Sequence, residues 1–168
     1  MLNLLRKSAA RKQDGQRLYD GLVSRARQPV FFRDFAVADS IDGRFDMMVL
    51  HAWLALSALK ARGQDEAAQG LTDVIFTGFD EALREQGAGD MGISRKLKAF
   101  ADGFYGRLTT YEAAPEAPAL AAAIAKNVYR GAGVDAKARA LADYALSARE
   151  SLKQSLPDTL DFGPLPSL

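Results

Sequence analysis

The residues best placed to do chemistry sit close together. Gly43-Arg44-Phe45-Asp46 leads into Leu50-His51-Ala52-Trp53, and the apolar run 47–59 behind it holds the one histidine and the one tryptophan of the chain. A guanidinium, a carboxylate and an imidazole beside an apolar helix must be paired or used, because burying them alone is costly. Joined by Asp46 or Glu81, His51 would be a candidate catalytic base, but nothing in the spacing requires that arrangement. With no second histidine and no Glu-x-x-His, no helix carries a metal-binding pair. The absence of cysteine removes disulfides, thiolate chemistry and cysteine-held metals. His51 is therefore expected to be structural, bonded to a carbonyl or a carboxylate.

Two further segments attract attention. Residues 87–92 (Gly-Ala-Gly-Asp-Met-Gly) are dense in glycine, but they follow a helix rather than a strand, so the dinucleotide-binding context is missing. No Walker-type phosphate loop occurs either. The segment is expected to end a helix, with Asp90 capping the next turn or pairing with Arg95 or Lys96. In Phe104-Tyr105-Gly106-Arg107, a glycine inside a good helix costs about 1 kcal/mol relative to alanine. That cost predicts a close approach to the backbone at Gly106, by another helix before a ligand. Arg44, Asp46, His51, Tyr105 and Arg107 are expected to form one polar cluster between the second and fourth predicted helices, with Asp46 also favouring the helix dipole from the first turn.

The elements that must position these groups are all helical. Apolar spacing of three and four recurs, and no stretch alternates over strand length. The spacing predicts helices over about 13–27, 40–62, 65–86, 94–111, 119–130 and 135–154, with Ser94 and Asp135 as caps. Pro29 stops the first. An aromatic loop over 30–40 follows, whose Phe31, Phe32 and Phe35 either pack back onto the body or contact a partner. The run 47–59, apolar on nearly every face, predicts a central buried helix. The tail from residue 155, with Pro157, Pro164 and Pro166, is expected to be extended. These readings give an all-α, single-domain bundle of about six helices over 13–154, a basic N-terminal arm over 1–12 and an extended tail over 155–168.

With 168 residues, 48% of them hydrophobic and 26% charged, the chain suits one soluble globular domain. Its charge is uneven. Residues 1–33 carry eight basic side chains against Asp14 and Asp20, a net of +6, which leaves −5 for the rest of a chain whose total is +1. Arg6, Lys7, Arg11, Lys12 and Arg17 form the arm, which either meets an anionic partner (a membrane surface or RNA) or is simply a solvated terminus. Leu2, Leu4 and Leu5 followed by Arg6 and Lys7 suit either a membrane interface or a fragment of an organelle-targeting sequence. The run 47–59 is too short to span a bilayer, and 1–5 is too short for a secretory signal.

Several blocks in order resemble the ubiquinol–cytochrome c chaperone family, assembly factors for the cytochrome bc complex. They are Ala26-Arg27-Gln28-Pro29 with its aromatic sequel, the segment 39–46 ending in Gly-Arg-Phe-Asp, and Leu50-His51. Leu83-Arg84-Glu85, Gly89-Asp90 and Phe104-Tyr105-Gly106-Arg107 follow. The resemblance spans about 18–111. It implies a non-enzymatic, all-helical chaperone without a cofactor, whose client is newly made cytochrome b. Mitochondrial members act with a small partner at the ribosomal tunnel exit, and the short N-terminus here looks like an α-proteobacterial relative. Neither haem nor quinone binding follows from it. The implied location is cytoplasmic, peripheral at the inner membrane, or the matrix in a eukaryote. Phe31, Phe32 and Phe35 are candidate client contacts, and the basic arm suits anionic lipid or ribosomal RNA, with no specific DNA partner. The rival expectation is a helical adaptor that binds RNA or the ribosome through that arm.

Overall fold

A computed structural model describes every residue except Met1, Gln86 and Ala88, with side chains described from Ser8 onward. Among the described residues seven helices follow in order: α1 Leu2–Ala26, α2 Pro29–Arg33, α3 Ile41–Ala61, α4 Asp65–Glu85, α5 Asp90–Glu112, α6 Ala117–Asn127 and α7 Ala136–Lys153. No strand occurs among the described residues. Six long helices and one short one make the all-α bundle that the apolar periodicity predicts.

α3 is the axis. It packs against α1, α4, α5 and α7, and α6 closes against α7 and α5. Its run from Met47 to Leu59 is buried at every position except Met48 and Ser57. A helix apolar on all faces can bury them only by accepting neighbours on all sides. Ser40 caps its start, the hydroxyl accepting from the Gly43 amide, and Gly63 (φ 70°) follows its end. Gly43 is required there: a Cβ would stand 1.8 Å from the Ala38 carbonyl oxygen. Asp135 caps α7 as expected, accepting from the Ala138 amide at 2.8 Å.

Four expectations change. α1 begins at Leu2 rather than near residue 13, so the basic stretch is helical and continues into the bundle. Gly15 lies against Gly70, where a Cβ would come within 2.4 Å of the Gly70 carbonyl, so α1 and α4 cross backbone to backbone. The physical reason is charge as well as packing. α4 carries six acidic side chains against Arg84, and Arg11 pairs with Asp73 at 3.4 Å. Arg17 pairs with Asp14 on its own helix, and Lys12 is exposed. The side chains of Arg6 and Lys7 lie outside the described residues.

Second, the aromatic loop is partly helical. Pro29 ends α1 and sits in the first turn of α2, where a fixed φ and a missing amide proton do no harm. The turn aims Phe31 and Phe35 inward to full burial and leaves Phe32 half-buried. Phe31 and Phe35 thus complete the core, with no exposed surface in this structure. Third, α5 starts four residues early. Gly89 occupies the cap position, and Ser94 lies inside the helix with its hydroxyl donating to the Asp90 carbonyl. Fourth, Gly106 has no heavy atom near where a Cβ would sit, so the predicted close approach is not there.

Candidate functional site

α3 carries two buried polar groups, Asp46 and His51, each with no exposed surface. Five residues separate them, which turns them about 140° apart around the helix. They therefore face different neighbours and form two sites rather than one.

Asp46 is held by two arginines. Oδ1 accepts from Arg107 of α5, at 3.0 Å from Nε and 2.9 Å from Nη2. Oδ2 lies 2.8 Å from Nη2 of Arg130. Arg130 comes from the turn after α6, which has left-handed backbone at Arg130 (φ 55°) and Gly131 (φ 78°). Such a φ is unfavourable for a residue with a Cβ, and here it brings a guanidinium to a buried carboxylate. Arg107 also donates to the Gly103 carbonyl at 3.1 Å, and its guanidinium lies over the Phe45 ring, 5.1 Å from the centroid. Burial pushes the Asp46 carboxyl up from its ordinary range, against the opposing pull of Arg107 and then Arg130. Tyr111 is buried nearby, and burial raises its phenol as well.

His51 belongs to a chain of hydrogen bonds in which the imidazole itself is neutral. Arg25 Nε donates to the Tyr144 hydroxyl at 3.0 Å. That hydroxyl is 2.9 Å from His51 Nε2, and His51 Nδ1 is 2.8 Å from the Met47 carbonyl. A carbonyl only accepts, so Nδ1 carries the proton and Nε2 accepts from Tyr144. The rings of Phe31, Phe162 and Tyr144 surround the imidazole at 5.2, 5.3 and 5.8 Å. Burial, eased by the Met47 bond and reinforced by the Arg25 charge, brings its pKa down to about 4. A neutral imidazole sealed among aromatic rings is a packing group, not a base in contact with substrate.

Arg25 reaches further, to the tail. Its Nη2 donates to the carbonyls of Gly163 and Pro164, each at 2.7 Å. Phe162 is buried, so the tail lacks regular structure yet is fastened. One arginine thus links α1, α7 and the C-terminal segment.

The single cluster expected between α3 and α5 reduces to Asp46 and Arg107. Arg44 is exposed and pairs with Asp39 at 2.8 Å. Tyr105 is 50% exposed and stacks on Phe76 of α4. Asp90 stands in the first turn of α5, 3.7 Å from Arg84, rather than paired with Arg95 or Lys96. Arg25, Arg130, Tyr144 and Phe162 are the partners that sequence reasoning missed. Tyr144 lies on one buried face of α7 with Leu141, Ala148 and Leu152, but nothing in the spacing ties it to His51. No cluster of three or more metal-ligating side chains occurs among the described residues.

A family model described as ubiquinol-cytochrome C chaperone matches residues 33–162, a stretch that holds Asp46, His51, Arg107, Arg130, Tyr144 and Phe162. The chain is also similar to a solved structure, the crystal structure of the Cbp3 homolog from Brucella abortus. That similarity is 36% in identity with a TM-score of 0.78, and covers 94% of this chain and 91% of that one. No curated protein matches the chain. Extending over most of the chain in sequence and over nearly all of it in fold, these matches show that the chain belongs to the ubiquinol–cytochrome c chaperone family.

Proposed function

We propose that the protein is a non-enzymatic chaperone for assembly of the ubiquinol–cytochrome c reductase complex and that its client is newly made cytochrome b. Family membership across 33–162 carries this reading. The internal chemistry is consistent with it: both buried polar sites bind this chain's own helices and tail, and His51 has no exposed surface. Among the described residues no helix is long and apolar enough to cross a membrane. Such a body would act on a membrane client from the side, at the cytoplasmic face of the inner membrane.

The test is affinity purification of the tagged protein from solubilised membranes, together with deletion of its gene. Cytochrome b is expected in the eluate. The deletion is expected to lower assembled reductase while the cytochrome b transcript stays unchanged. Normal complex levels in the deletion strain would sink the proposal.

A further inference from the structure

A groove of about 1070 Å3 lies where α4 and α5 splay apart over the second half of α3. The two helices meet at Phe79 and Phe100, whose rings stack 3.9 Å apart, and at Phe76 with Phe104. Running antiparallel from there, they leave the start of α4 and the end of α5 apart. Trp53, Leu56, Ala68 and Leu108 supply apolar lining.

The threonine and serine hydroxyls and the indole on the groove already have partners. Thr72 and Thr109 donate to carbonyls of their own helices, Ala68 and Tyr105. Trp53 Nε1 and Ser57 Oγ both donate to Glu112 Oε2, at 2.8 and 3.2 Å. A floor whose hydroxyls and indole are already bonded, with charge confined to Lys60, Asp65 and Glu112, suits a guest whose backbone is satisfied internally, which means a helix.

Charge says which helix. Glu112 is exposed and oriented by Trp53 and Ser57, and it has no salt-bridge partner among the described residues. Asp65 lies at the same end of the groove, with Lys60 as the one basic residue on the lining. Tyr105, 50% exposed, marks the opposite end. From Tyr105 to Glu112 is about 10 Å along α5, or two helical turns. We infer that the groove seats an apolar helix that ends in lysine or arginine, its apolar turns over Trp53 and Leu108 and its basic end at Glu112. Membrane-spanning helices have that chemistry at their cytoplasmic ends. The inference deepens the chaperone reading and rests on it for the identity of the client.

The probe is a tryptophan-free helical peptide of leucine and alanine ending in two lysines, titrated into the full-length protein while the emission of Trp53, its one tryptophan, is followed. A saturable change is expected. Tyr105→Asp and Glu112→Lys should each weaken binding about tenfold. A peptide ending in two glutamates should bind the natural chain about tenfold more weakly and recover on Glu112→Lys. No saturable change, equal affinity for both peptides, or indifference to Tyr105→Asp overturns the inference; far-UV circular dichroism confirms that the variants fold. The charge swap succeeding while cytochrome b fails to co-purify would refute the client and leave the groove standing. Cytochrome b co-purifying equally with the natural chain and Tyr105→Asp would refute the groove and leave the client standing.

Discussion

Asp46 and His51 are buried to the same degree on the same helix, yet one site is charged and the other neutral. Their surroundings explain the difference. The Asp46 site lies near the start of α3, and its arginines keep contact with water: Arg107 is 20% exposed and Arg130 is 52% exposed. Long side chains can reach a buried carboxylate while their own solvation is only partly lost. His51 sits in the middle of α3 under α2, α7 and the tail, where the charge that reaches it, Arg25, is itself cationic and meets it only through Tyr144. A proton there would need a counter-charge that the surrounding rings do not supply, so the site relies on a tautomer instead. A helix buried on all sides can thus fix its neighbours by charge at its end and by neutral hydrogen bonds at its centre.

Arg107→Ala should separate the two most sharply. It leaves a buried carboxylate with only Arg130, and breaking one side of a buried pair costs about 3–5 kcal/mol. Asp46→Leu should cost less, because Arg107 and Arg130 can then turn to water. Urea unfolding of the two variants measures both. Equal losses would mean that the site is stabilised by packing and not by charge.

Acid should act on the other site. An unfolded histidine titrates near 6.5 and the folded one at about 4. Above 6.5 both states are neutral and stability is independent of this group. Between those values the unfolded chain binds a proton that the fold refuses, so stability falls as pH drops, by about 3 kcal/mol in total, and levels off below 4. The difference in unfolding free energy between the natural chain and His51→Gln, followed across that range, isolates this contribution from the carboxylates. A constant difference would show that the imidazole is not held neutral.

Arg25→Ala tests the reach of the neutral site. It removes the bonds to Tyr144 and to the tail carbonyls, at a cost of about 1–2 kcal/mol. Its distinguishing sign is local: limited proteolysis should cut after Lys153 well before the helical body opens. Unchanged protection of the tail would mean that Phe162 alone anchors it.

Much of this architecture was legible, and the reasons are local. Asp135 caps a helix, Gly87 ends one, and the run 47–59 can only be a core helix. Where the expectations failed, the deciding contact was distant in sequence. The stretch before residue 13 reads as a solvated arm until α4 provides acids and a glycine for it to lie on. Arg107 was a plausible partner for Asp46, but Arg130 arrives through a left-handed turn 84 residues away, and no periodicity announces it. His51 was grouped with Asp46 by proximity in sequence, although helical geometry turns the two apart.

The smallest effect concerns the two glycines flanking this arrangement on α5. Gly103 belongs to the Asp46 site: a Cβ there would lie 3.4 Å from Arg107 Nη1 and 3.9 Å from the Phe45 ring. Gly106, three residues on, has nothing within 4 Å of that position. Gly106→Ala should therefore stabilise the protein by the propensity difference alone, up to about 1 kcal/mol. Gly103→Ala should gain less, because the new methyl group crowds the guanidinium that Asp46 needs. In an Asp46→Leu background, where Arg107 is free to move, the two substitutions should converge. If thermal unfolding shows equal gains in both backgrounds, Gly103 is not making room for the charged site, and the contrast between a charged end and a neutral centre loses one of its supports.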